Sequence, residues 1–287
     1  MSVLALMEDG DVGQQTLSLA RVWGHVHTVR MDAVAPFAPD ALAAVLQRAA
    51  DDLDARAVFA AGTDRGNDVM ARLAARTGLP FAANVVAADP SGSVTRQRWG
   101  GSLLESAQMP PNRLLMTVAP YAIRATDGPA PTAVDITRYM DELDPRDRVV
   151  QVKEHIDPPG GGVSLAEAKV VVSGGRGVGS KEGFAIIEEL AGLLGGRVGC
   201  SRVVTSAGWR PHTDQVGQTG TKISPDLYIA CGISGATQHM AGCKGAKKIL
   251  AINADPEAPI MSLADYSVVG DLKEVVPAIS AEIRKSR

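Results

Sequence analysis

Two apolar runs, VVVS (170–173) and LYIACG (227–232), do not alternate between polar and apolar residues. A half-exposed strand alternates with period two, whereas a near-continuous apolar run is buried on both faces, as in a parallel sheet covered by helices. Each run opens into a glycine-rich loop, SGGRGVGS (173–180) and GISGATQH (232–239), and a third loop, QVGQTG (215–220), lies between them. Ligands of open parallel sheets settle outside the carboxyl ends of the strands, so all three loops are predicted to crowd one such end. Their glycines let main chain approach a ligand, and a helix starting behind such a loop adds positive potential. The expected ligand is elongated and anionic.

Upstream, strand-like and helix-like segments alternate: strands at 3–7, 26–31 and 57–61, helices at 16–22, 39–50 and 65–77. Apolar or β-branched stretches follow at 81–87, 93–99, 103–108 and 114–118, with a hairpin expected around Trp99 and Gly101. From Pro120 to Gly162 the chain turns to Pro, Asp, Gly and Arg, and no element is assigned there except a potential strand at 149–156. Pro158 to Gly162 cannot sit inside a strand, which puts the domain boundary there. The second half predicts strands at 169–173, 197–199, 227–231 and 248–252, one more at 266–269, and helices at 181–194 and 272–284. The expected fold is α/β in two domains, 1–162 and 163–287, each a mostly parallel sheet with flanking helices, the second Rossmann-like.

Composition removes several function classes. Aromatic residues make up 4% of the chain and its formal charge is −3, a poor match to nucleic-acid stacking platforms or phosphate-backbone binding. No apolar run reaches the roughly 18 residues of a membrane span. Glu8 and Asp9 interrupt the first apolar stretch, against a secretory signal. Cys200, Cys231 and Cys243 form no CxxC pair and no zinc-like spacing, and are expected to be reduced, buried thiols of a cytoplasmic protein. Neither a G-x-S-x-G elbow nor a G-x-x-x-x-G-K-[ST] phosphate loop occurs.

Strand, SGGRGVGS and helix together approach a dinucleotide fingerprint. The spacing departs from it, since Ser180 stands where the third glycine belongs, and no acidic residue ends a second strand to read a ribose. A plain NAD site is disfavoured, and a tight turn between strand and helix is the bland alternative.

The run from Val171 onward, with SGGRGVGS, GCSR, QVGQTG, LYIACGISGATQH, AINADPEAPI and ADYSVVGDL in that order, closely resembles the FAD domain of electron transfer flavoprotein α subunits. The resemblance implies an FAD cofactor and a heterodimer with a β subunit, the first domain serving subunit assembly. It also implies electrons arriving from acyl-CoA-type or other flavin dehydrogenases and leaving to a quinone oxidoreductase, without membrane insertion and without turnover of a substrate by the chain itself. A subunit of a bifurcating flavoprotein and an NAD-dependent oxidoreductase remain as alternatives. Carried over by position, Arg176 belongs to the first flavin loop, and Ser201 with Arg202 forms a donor and cation close to the ring. Gln215, Val216, Gly217, Gln218 and Thr219 form the second loop, with the Thr219 hydroxyl toward flavin N5. Ser234, Gly235, Ala236, Thr237, Gln238 and His239 form the third, with His239 beside N1 and the C2 carbonyl. Asn253, Asp271 and Leu272 fall on the adenosine side.

An electron added to flavin puts negative charge on the N1 and C2 carbonyl region, which Arg202 and a protonated or donating His239 stabilise. Taken singly, Arg202 reads as a solvated charge, Thr219 as a turn residue, His239 as a helix-face residue, and Asn253 before Asp255 and Pro256 as a turn.

Overall fold

The uninterrupted apolar runs become central strands of parallel sheets. The computed structural model describes residues 1–101, 103–154 and 164–286, and the chain divides into two compact units, Met1–Ile156 and Asp157–Arg287. The linker expected at 158–162 lies outside the described residues.

The first unit contains β1 (Ser2–Met7), α1 (Asp11–Arg21), β2 (His25–Arg30), α2 (Pro39–Asp52), β3 (Ala57–Ala61), α3 (Asp64–Thr77), β4 (Phe81–Ala88), β5 (Ser93–Arg98), β6 (Leu103–Gln108), β7 (Leu114–Val118), β8 (Thr132–Ala133) and α4 (Thr137–Asp141). Its sheet runs β6-β5-β4-β7-β3-β1-β2-β8, parallel except where β5 pairs with β4 and β6. β3 and β7, AVFAA and LLMTV, are buried along their whole length. Thr63 caps α3 by accepting from the Gly66 amide at 3.0 Å, and Gly78 ends the helix at φ 67°.

The Thr63 hydroxyl also donates to Glu8, whose carboxyl burial raises against the lowering effects of that bond and of Arg65. A raised folded-state value means that ionised Glu8 opposes folding above that value, and the penalty disappears as the pH falls below the unfolded value. Glu8→Gln is therefore expected to raise the Tm at pH 7.5, the gap to the parent chain closing toward pH 4. Parallel thermal melts across that range check it, and a gap that widens on acidification defeats it.

The second unit contains β9 (Val170–Gly174), α5 (Ala185–Leu193), β10 (Arg197–Cys200), α6 (Arg202–Ser206), β11 (Leu227–Cys231), α7 (Thr237–Cys243), β12 (Ile249–Asn253), α8 (Pro259–Leu263), β13 (Tyr266–Val269) and α9 (Leu272–Lys285). All neighbours in the order β10-β9-β11-β12-β13 are parallel. The chain steps from β9 outward to β10 and then back past β9 to β11, so the switch point of the sheet lies between β9 and β11. The first and third glycine loops leave these two strands and meet there. The Gly175 amide donates to the Cys231 carbonyl at 2.8 Å and the Gly177 amide to the Gly232 carbonyl at 3.1 Å.

Several elements differ from the sequence expectation. α1 begins at Asp11 rather than 16, because Gly13 lets the first turn press against the Glu8 carbonyl, 2.0 Å from where a Cβ would stand. The helix expected from 181 opens as a 3-10 turn, Glu182–Phe184, and becomes α-helical at Ala185. Residues 149–154 form no strand; the Val152 amide donates to the Phe37 carbonyl at 2.8 Å instead. The stretch after Pro120 packs on the first unit, with β8 beside β2 and Tyr139 buried against the core. No helix among the described residues is long and apolar enough to cross a membrane.

Candidate functional site

At the carboxyl end of the second sheet the three loops enclose a cleft of about 480 Å³. Arg176 comes from the loop after β9, and Ser201 and Arg202 from the start of α6. Gln215, Val216, Gly217, Gln218 and Thr219 come from the second loop; Ser234, Ala236, Gln238 and His239 from the third; Asn253 from the end of β12. Four expected residues do not line it. Gly235, at φ 84°, seats the third loop on α8, where a Cβ would stand 2.6 Å from the Ile260 amide nitrogen. Thr237 is the exposed first residue of α7. Asp271 caps α9 by accepting from the Lys273 amide at 2.9 Å, and Leu272 is buried in the core beneath the first loop.

Two features give the cleft its electrostatic character. Arg176 and Arg202 pair with no carboxylate among the described residues, whereas nearby Arg210 is held by Asp214, at 2.8 Å, and by Glu188. Two cations thus remain available to an anion. The other feature is His239. Its Nε2 lies 2.7 Å from the Tyr228 hydroxyl, and its Nδ1 is buried without a hydrogen-bond partner. Burial lowers its pKa to about 4, which the nearby Val216 carbonyl offsets only in part. In the chain alone the imidazole is therefore neutral at pH 7, and of the two expected states, protonated or donating, the structure has the neutral one.

Thr219 is held from behind. Gln215, only 2% exposed, donates from Nε2 to the Thr219 hydroxyl oxygen at 3.0 Å and accepts from the Thr205 hydroxyl at 2.6 Å. Both polar atoms of its side chain bond within the protein, so it holds Thr219 as an acceptor and leaves that hydroxyl's proton for another partner. Asn253 donates to the Ile233 carbonyl at 2.9 Å and ties β12 to the third loop.

Sequence reasoning missed three supporting residues: Tyr228, Thr205 and Gly242. Gly242 has a readable signal, since a glycine inside a helix is about 1 kcal/mol worse than alanine and needs a reason to be there. Here the reason is contact: a Cβ on Gly242 would stand 2.3 Å from the Gly217 amide nitrogen. α7 thus lies backbone to backbone on the second loop, and the Gln218 amide donates to the Gln238 carbonyl at 2.7 Å.

This donor set fits an extended anionic cofactor with an electron-accepting ring. Gly177 and Gly232 leave no room for side chains where the loops cross, with a Gly177 Cβ only 2.8 Å from the Gly232 Cα. Among the described residues, two arginines without carboxylate partners and one unpartnered ring nitrogen are left over for a ligand. Cys200, Cys231 and Cys243 do not line the cleft, and burial pushes them up to about 12 and keeps them as thiols. Among the described residues no group of His, Cys, Asp and Glu is placed to hold a metal ion.

Residues 164–244 match the family model of the electron transfer flavoprotein FAD-binding domain, and residues 5–139 that of the electron transfer flavoprotein domain. The chain is 37% identical to the electron transfer flavoprotein subunit alpha of Thermoanaerobacterium thermosaccharolyticum, over 91% of this chain and 80% of that one. It is 36% identical to the corresponding Bacillus subtilis protein over 96% and 86% of the two chains, and 40% identical to that of Paracoccus denitrificans over 79% and 72%. The chain belongs to the electron transfer flavoprotein α-subunit family. Its cofactor is FAD, and the family carries electrons rather than turning over a substrate. Membership implies a partner β subunit. The matched FAD-binding segment contains all three loops, the Ser201–Arg202 pair and His239.

Proposed function

We propose that this chain is the FAD-carrying subunit of a cytoplasmic heterodimer that accepts electrons from flavin dehydrogenases, the acyl-CoA-type among them, and passes them to a quinone oxidoreductase. The first unit, Met1–Ile156, serves assembly with the β subunit. One observation carries the reading: the cleft at the switch point offers two arginines without a carboxylate partner among the described residues and a buried imidazole nitrogen without a hydrogen-bond partner.

When bound, the flavin supplies a ring that takes up and releases electrons. The chain's own residues bind and tune it. Arg176 and the glycine crossing would hold the anionic part at the switch point, and Asn253 would meet the adenosine side. Thr219, locked by Gln215, would offer its hydroxyl to N5 and control proton access there. Arg202 and His239 would stabilise the charge that reduction adds, and so favour the reduced ring over the oxidised one.

The test is reconstitution. Chain, β subunit and FAD, combined and desalted, are expected to give a yellow complex absorbing near ~450 nm, a property of the flavin itself that NAD lacks. Mixing with an acyl-CoA dehydrogenase and its substrate under anaerobic conditions should bleach the colour, and a quinone oxidoreductase with quinone should restore it. A complex that retains no FAD overturns the reading. Two flavins per heterodimer would move it to the bifurcating class.

A further inference from the structure

We propose that Tyr228 is the residue that positions His239 for the cofactor: its phenol donates to Nε2 and thereby keeps the imidazole proton on Nδ1, free for the bound flavin. This rests on the FAD reading of the cleft. Tyr228 is the second residue of β11, fully buried in a cluster with Val171, Val216, Cys243 and Ala251. His239 follows on α7, with its ring centroid 6.1 Å from that of the tyrosine. The hydroxyl and Nε2 are 2.7 Å apart, a distance that demands one shared proton.

There are two ways to place it. If Nε2–H donates to the phenol oxygen, the phenol proton needs a second acceptor inside the core. The neighbouring hydroxyl, that of Ser173, lies outside bonding geometry, and its influence on the phenol is that of a donor, which holds the phenol pKa down against burial. The lone pair of Nδ1 would be stranded as well. If instead the phenol donates to Nε2, the tyrosine is satisfied and one group is left over, the Nδ1–H of a residue that lines the cleft, with the Val216 carbonyl nearby but outside bonding geometry. Leaving fewer buried polar groups unpaired favours the second arrangement. The hydrogen bond made by one imidazole nitrogen decides the protonation of the other, so the phenol acts as the tautomer lock. Both partners stay neutral near pH 7, because burial drives the imidazole down to about 4 and the phenol well above its usual value.

The lock is mechanically sound. Tyr228 is anchored in the sheet by parallel pairing on both sides, opposite Val171 and Ile249. α7 is held against the second loop through the Gly242–Gly217 contact and the bond from the Ile223 amide to the Gly242 carbonyl at 2.8 Å. Neither ring can move off the other without disturbing the sheet or the loop. His239 thus becomes a neutral donor of fixed direction. Such a donor strengthens as the ring acquires negative charge, without any proton having to be taken up first.

The experiment uses the nitrogen-15-labelled complex with its β subunit and FAD. Long-range proton–nitrogen correlations of His239, identified by their loss in His239→Gln, are expected to show a pyrrole-like Nδ1 and a pyridine-like Nε2. Tyr228→Phe removes one oxygen and keeps the ring. It is expected to retain FAD, to redistribute the His239 proton between the two nitrogens, and to weaken the preference for reduced over oxidised flavin by about tenfold, or about 59 mV for a one-electron step. A purely packing role for the tyrosine would leave tautomer and potential unchanged, and that result overturns the proposal. So does a pyrrole-like Nε2 in the parent protein, which needs no variant and decides the matter even if Tyr228→Phe fails to fold. A colourless complex counts against the FAD reading instead, and the tautomer in the flavin-free chain still decides the role of Tyr228.

Discussion

Alanine at Gly242 is expected to strip the protein of FAD while leaving its sheets folded. The methyl group would stand 2.3 Å from the Gly217 nitrogen, 2.4 Å from its Cα and 2.9 Å from its carbonyl carbon. These are backbone atoms, so no side chain can swing aside to make room. Either α7 moves outward and takes His239 with it, or the second loop moves and takes Thr219. Both residues line the cleft, so each escape route damages the site. Overpacking of this kind costs roughly 1–3 kcal/mol, which corresponds to about 5- to 150-fold in affinity if it falls on the bound form. Gly192→Ala is the control: that helical glycine has nothing within 4 Å of its Cβ position, and alanine there is expected to leave FAD binding intact and stabilise α5. Flavin dissociation constants for the two variants, with thermal melts to establish folding, check the contrast. Parent-like FAD affinity in Gly242→Ala would show that the contact between α7 and the second loop is not what shapes the cleft.

That prediction also marks how far the sequence could be read. β9 and β11 were legible because burial on both faces leaves VVVS and LYIACG with no charged position to blur them. The loops were legible because a main chain that crosses another, as Gly177 crosses Gly232, admits only glycine. α4, α6 and α8 were not, since segments of five residues never complete the two turns that make a 3.6-residue period visible. α1 was placed too late for a related reason: Gly13, Gln14 and Gln15 look like a loop until the Glu8 carbonyl beneath Gly13 is seen.

At the site, sequence named residues that face the cleft and missed those behind them. Tyr228 reads as one more core position in an apolar strand, and only the fold brings its hydroxyl to His239. Gln215 was read as one residue of a loop; its side chain turns inward to Thr205 and Thr219, a relation between α6 and a loop ten residues away that no local pattern encodes. Asp271 and Leu272 show the converse, with local cap and core positions that explain them without a ligand.

Arg202→Ala is expected to lower the potential of the bound flavin by more than any other single removal of charge in the cleft. Arg202 opens α6 directly after the Ser201 cap position, and the Ser201 amide is fixed to the Gly174 carbonyl at 3.1 Å. The guanidinium therefore projects from an anchored backbone, yet it has no carboxylate partner among the described residues to neutralise it. Because the side chain is exposed in the isolated chain, solvent and salt screen part of its field. The expected loss is accordingly at the low end for a charge-assisted contact, about tenfold in the preference for reduced over oxidised flavin, or about 59 mV for a one-electron step. Two further readings separate charge from packing. Arg202→Lys keeps the charge without the planar fork and should fall between alanine and the parent. Raising the ionic strength should shrink the difference between parent and Arg202→Ala if the partner subunit leaves the guanidinium in water, and preserve it if the subunit covers the cleft. Spectroelectrochemical titration of the three proteins at low and high salt provides all of these values. Equal potentials for parent and alanine variant at low salt would remove Arg202 from the tuning of the flavin and leave that task to His239.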